Sequence, residues 1–277
     1  MTDRSADCDE VLEREIGVLY AEVHANVSRQ LERIKELPDP GDEREQFSLT
    51  WEMTILTLAL DVSGSAVLLA REDQQRAARI LNRSLMEYAY RLHHFALRPE
   101  EARRFGLQYA NFVRHMLRPW GQERGNLVSE EWRSFRAFVS TGSEELGYPN
   151  VQRMMASLLA NHGLRGGELR RWCRRLEAEY ALGSALAHGS QGAIADVFTR
   201  SQDGSEPPQH HLTSPHFTVA NSLMRTTIAM WLILRALECR HKREMGSGLH
   251  YRDIALRCGA YPREYSVFTF VPFVPPR

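Results

Sequence analysis

LRRWCRRLEAEYALGSALAHGSQ, residues Leu169–Gln191, is the stretch on which the reading of this chain turns. At 3.6 residues per turn, Tyr180, Ser184 and His188 fall at i, i+4 and i+8 and share one face of a helix. Leu176, Gly183 and Ala187 lie beside them, so that face is small and apolar enough to be buried. Gly189 follows His188 where a C′ glycine closes a helix, which puts the imidazole in the last turn, at the negative end of the helix dipole. A phenol, a hydroxyl and a titratable ring in one row make this face a candidate site.

The same period runs outward through most of the chain. Residues 9 to 37 read as one long helix, with Val11, Leu12, Ile16, Leu19, Val23, Val27, Leu31 and Ile34 at threes and fours and Pro38-Asp39-Pro40-Gly41 as its stop. The spacing predicts a second helix from Asp42 or Glu43 to about Leu69, apolar on all sides around Ile55–Leu60 as a central bundle helix would be. A third runs from about Glu72 to Leu97, stopped by Pro99, with a stripe of Ala77, Ile80, Leu81, Leu85, Tyr88, Leu92 and Phe95. Beside that stripe stand Arg83 and, at i+4, Glu87, followed by Tyr90 and His94.

A fourth helix opens at Pro99-Glu100-Glu101 and reaches about Leu117. Shorter helices are expected at Glu130–Val139 and Asn150–Asn161, and a last long one at His216–Glu244. Ser201–Pro215 is a polar, proline-bearing loop, and the tail VFTFVPFVPPR alternates aromatics with prolines, so it lies extended. The fold class is all-α, an irregular multi-helix bundle with an extended C-terminal tail. Residues 1–41 form a long helix and linker, 42–245 the bundle core, and 246–277 a tail packing on it.

The 277 residues suffice for one large domain or two small ones. Lysine and arginine together number 35, as do aspartate and glutamate, so no global charge draws the chain to nucleic acid or anionic lipid. Cys8, Cys173, Cys239 and Cys258 are scattered without metal-like pairing, as in a reduced cytosolic protein. The polar opening MTDRSADCDE has no targeting character, and the longest apolar runs, Thr54–Leu60 and Ile228–Leu234, are too short for a bilayer. A soluble cytoplasmic protein is expected, without a membrane partner.

No cofactor and no metal are expected either. His93 and His94 point about 100° apart on a helix and cannot chelate together. His210, His211 and His216 lack a cysteine or carboxylate at ligand spacing. Asp61-Val-Ser63-Gly-Ser65 lies within a helix and lacks the glycines of a nucleophile elbow. There is no phosphate-binding glycine loop and no dinucleotide fingerprint.

Two segments, NRSLMEYAYRL with Arg83-x3-Glu87 and Tyr180-x3-Ser184-x3-His188 closed by Gly189, resemble a bacterial family that carries only a domain-of-unknown-function label. The resemblance spans about residues 55 to 240. Such families look like the HEPN helical bundles, many of which are metal-independent ribonucleases or binding-only relatives. The resemblance therefore implies RNA as partner, a stress or defence setting, and pairing of two copies as a homodimer. The long first helix offers a surface for such pairing. The chain departs from the HEPN nuclease signature, an arginine with four to six residues between it and a histidine, because Ala181, Leu182 and Gly183 hold those places before His188. Arg235-x5-His241 and Arg243-x6-His250 carry that spacing elsewhere, no more often than the arginine and histidine content gives by chance.

The candidate site residues are thus His188, Arg83, Glu87, Tyr180 and Ser184. In the catalytic reading His188 is general acid or base beside Glu87, and Arg83 holds a phosphate or carboxylate in its planar fork. Tyr180 and Ser184 then orient the substrate, and the reaction is cleavage or binding of RNA without metal. In the structural reading the same five residues form a buried polar network that sets helix register, and the chain is an interaction protein with a protein partner for its 201–215 loop or tail. A helical bundle holding a small molecule, with Arg83 as anion anchor, is the third reading. Arg170-Arg171 and Arg174-Arg175 sit among Glu168, Glu177 and Glu179, which suggests a salt-bridged, solvated face.

Overall fold

The computed structural model describes residues 3–98, 151–161, 165–188, 198–199, 209–210 and 218–242. Six helices carry almost all of this: α1 (Asp3–Lys35), α2 (Glu43–Arg71), α3 (Gln75–Leu97), α4 (Val151–Asn161), α5 (Gly166–His188) and α6 (Val219–His241). Phe198–Thr199 and Gln209–His210 pair antiparallel over two residues each, so the architecture is an all-α multi-helix bundle. The helices expected after Pro99 and at Glu130–Val139, most of the 201–215 loop and the C-terminal tail lie outside the described residues.

Local chemistry sets the helix ends. Asp39 accepts from the Gly41 amide at 3.0 Å in the α1–α2 linker, where Gly41 takes a φ of +67°. That left-handed conformation is open to a residue without Cβ. Asp73 turns α2 into α3 with φ +56°, and the Gln74 amide closes the turn on the Leu69 carbonyl at 2.8 Å. Thr218 caps α6, its hydroxyl accepting from the Asn221 amide at 3.2 Å.

The central helix is α6, not α2. From Thr226 to Glu238 every residue of α6 is buried, and the helix packs on α1, α2 and α3. Ile16, Leu19, Val23 and Val27 of α1, Ile55, Leu56 and Ala59 of α2, and Leu85, Ala89 and Leu92 of α3 close around it. The apolar centre of α2 suggested the reverse, but α2 leaves one side uncovered. There Thr50, Thr54 and Thr57 donate to the carbonyls of Gln46, Thr50 and Met53 at 2.8–2.9 Å, which lets threonine sit in an apolar-looking helix.

Polar groups pin α6 to its neighbours. Asn82 of α3 donates to the Ser222 carbonyl at 3.2 Å and accepts from the Thr226 hydroxyl at 2.7 Å. Near its C-terminal end, Arg240 reaches Glu52 at 2.9 Å and Glu45 at 2.5 Å, and His241 Nε2 stands 2.9 Å from the second Glu52 oxygen. Helix α3 touches α2, α4, α5 and α6, so its buried set is broader than one apolar stripe. Arg79, Asn82, His93 and His94 are buried, whereas Ala77, Ile80, Leu81 and Tyr88 are only half-buried.

Residues Ser48–Arg71 of α2 are long and apolar enough, by length and composition alone, to cross a membrane. Uninterrupted apolar runs miss this because threonine, glycine and serine break the runs without lowering the average much. Within the bundle, α2 packs against α1, α3 and α6 and carries the paired, buried Glu52, an arrangement compatible with a soluble protein.

Burial ranks the consequences of mutation. Leu223 is fully buried in the core, so Leu223→Ala should cost about 2–5 kcal/mol of unfolding free energy. Val11 is 43% exposed, and Val11→Ala should change stability by no more than about 0.5 kcal/mol. Urea denaturation of both variants checks the ranking; equal losses would mean that α6 is not the core.

Candidate functional site

The candidate residues come from two helices that lie antiparallel, as the contacts require: Glu87 meets Tyr180, and Arg83, one turn earlier on α3, meets Gly183, nearly one turn later on α5. A Cβ at position 183 would come within 2.9 Å of the Arg83 Cβ, closer than atoms tolerate. Glycine is therefore required there by the approach of α3. Its absent side chain makes room for the arginine stem, which then runs along α5 toward Tyr180.

The hydrogen bonds close on themselves. Arg83 Nη2 donates to the Tyr180 hydroxyl at 2.8 Å and lies 3.0 Å from Glu87 Oε1. The Tyr180 hydroxyl in turn donates to the same Glu87 oxygen at 2.5 Å. The guanidinium also stacks over the tyrosine ring, its Cζ 4.6 Å from the centroid, which adds a cation–π attraction. The second Glu87 oxygen faces Arg91 Nη2 at 3.4 Å. Side-chain exposures of 19% and 14% for Arg83 and Glu87 place the pair where water screens it only partly.

Arg91 was not singled out from the sequence, although its signal was present: positions 83, 87 and 91 repeat at i+4 along one face. The glutamate precedes the arginine in the second pair, the order that the helix dipole favours. One carboxylate is thus held between two guanidinium groups a turn either side.

Burial is the first cause that raises the Tyr180 pKa above the usual phenol value, with the adjacent Glu87 carboxylate next. The hydrogen bond and charge of Arg83 act the other way and do not cancel them. Tyr180 is therefore neutral and serves as the proton donor to Glu87. Its oxygen is committed as acceptor to Arg83 and its proton to Glu87, so neither a base nor an acid remains to be used there.

Three of the five expected residues come together and two stand apart. Ser184 is half-buried and has no hydrogen bond to another described residue. His188 ends α5 and is exposed, again with no hydrogen bond or ion pair to another described residue. Eight residues of helix separate it from Tyr180, about 12 Å of rise. The expectation that the whole row would be buried thus holds for Gly183 and in part for Tyr180 and Ser184, while Ala187 and His188 are exposed. The docking partner α3 covers α5 from one side, and the row winds out from under it. Tyr90 and His94, next along α3, are buried. Among the described residues no three His, Cys, Asp or Glu groups stand close enough to hold a metal ion.

Tyr180→Phe removes the shared hydroxyl and leaves Glu87 and Arg83 short of one bond each, a loss of about 1–3 kcal/mol. The pH dependence carries a sign. A phenol whose pKa is raised on folding contributes stability that is present below its unfolded value near 10 and is lost as pH rises through the folded one. Stability of the parent chain should therefore fall more steeply above about pH 10 than that of Tyr180→Phe. Denaturation midpoints from pH 8 to 11 give the comparison, and parallel curves would remove Tyr180 from the coupling.

No protein-family model, curated protein or solved structure matches the chain.

Proposed function

We propose that this chain is a non-catalytic RNA-binding helical bundle, in which Arg83, Glu87 and Tyr180 hold α5 against α3 and the outward line of α5 meets phosphates. The observation that carries the reading is the division of α5 between its two sides. Gly183 is buried against Arg83 and Tyr180 bonds into α3, while Arg170, Arg174, Ala181 and His188 are exposed. Those four exposed positions fall within about 40° of one another around the helix and run about 27 Å along it.

The charge balance of this part of the sequence is in keeping with that reading. Between residues 151 and 188 stand six arginines (153, 165, 170, 171, 174, 175) against three glutamates (168, 177, 179), in a chain whose formal charge is zero. Guanidinium groups match phosphate through two parallel hydrogen bonds, and two of them one turn apart, Arg170 and Arg174, can hold a backbone without reading bases. The resemblance of the Arg83/Glu87 and Tyr180/Ser184/His188 segments to HEPN-like bundles is the reason to choose RNA among polyanions. The saturated Tyr180 and Glu87 are the reason to choose binding over cleavage. One observation favours cleavage as the second reading: His188 ends the same line, exposed, where it would reach a 2′-hydroxyl.

Fluorescence anisotropy with a labelled single-stranded RNA in EDTA separates these readings. Binding should weaken with salt, and Arg170→Ala with Arg174→Ala should lower both affinity and the salt slope, the latter by about 1.4 at roughly 0.7 per phosphate contact. Arg83→Ala should lower thermal stability while leaving the slope of the folded protein unchanged. RNA cut in EDTA by the parent chain but not by His188→Ala would replace binding with catalysis. Affinity that ignores salt and both arginines would end the RNA reading.

A further inference from the structure

We draw no further inference here: the strongest candidate, the exposed side of α2 from Thr50 to Leu68, is a largely apolar helix face, and nothing in the structure shows what covers it.

Discussion

A helix buried on almost every side must find a partner for each polar side chain it carries, and α6 carries several. Thr226 and Thr227 bond back to carbonyls of their own helix, and Thr226 also bonds to Asn82. Arg235 and Glu238, 7% and 0% exposed, lie 3.3 Å apart, with the guanidinium near the Trp231 ring. Arg240 and His241 share the buried Glu52. The pairings that leave the helix, Asn82 with Ser222 and Thr226 and Glu52 with Arg240 and His241, are directional where apolar packing is not, so they fix how α6 is turned toward α3 and α2. Helices α4 and α5 then have one docking place left among these elements, the outer side of α3.

On that side the physics changes from burial to clamping. The Arg83–Glu87 pair alone, an i,i+4 contact in the less favourable order and partly wet, would be worth a few tenths of a kcal/mol. Joining it to Tyr180 adds a hydrogen bond to each charge and a ring over the guanidinium, and each group now orients the other two. Gly183 permits the close approach on which all of this depends. The cluster consequently fixes the rotation of α5 about its axis more than it adds to stability.

How much of this could be read from the sequence follows from the range of the interactions. Because an amphipathic stripe is a local property, periodicity located α2 to α6 to within about three residues and the end of α1 likewise, while α1 begins six residues before the expected start. Arg83 with Glu87 was legible at i+4, and Tyr180 was legible as a member of the facing row. That the three would meet was an expectation from resemblance, and the geometry supplied the register. Centrality was misjudged, since α2 and α6 have similar apolar content. What distinguishes them is the partners of Asn82 and Glu52, at Thr226 and Arg240, more than 140 positions away. The exposure of His188 was illegible for a related reason. A straight row on a helix faces one direction, but the neighbour that covers it, α3, is itself a cylinder crossing it, and cover ends where the two diverge.

The arginines of this chain show how burial assigns work to a single residue type. Arg240 is enclosed by Glu45, Ser48 and Glu52, and its hydrogen bonds and nearby carboxylates raise its pKa against the desolvation that would lower it. Arg83 is half enclosed, and its Nη2 meets both Tyr180 and Glu87 within one cluster. Arg170 and Arg174 are exposed on the far side of the helix that Arg83 holds. A charge in the open contributes little to folding and costs rotamer entropy when it binds, so its usefulness to a partner depends on how firmly its helix is held. The clamp between α3 and α5 meets that requirement. It holds Gly183 and Tyr180 of α5 against α3, which leaves the guanidinium groups of Arg170 and Arg174 on the exposed side of the helix.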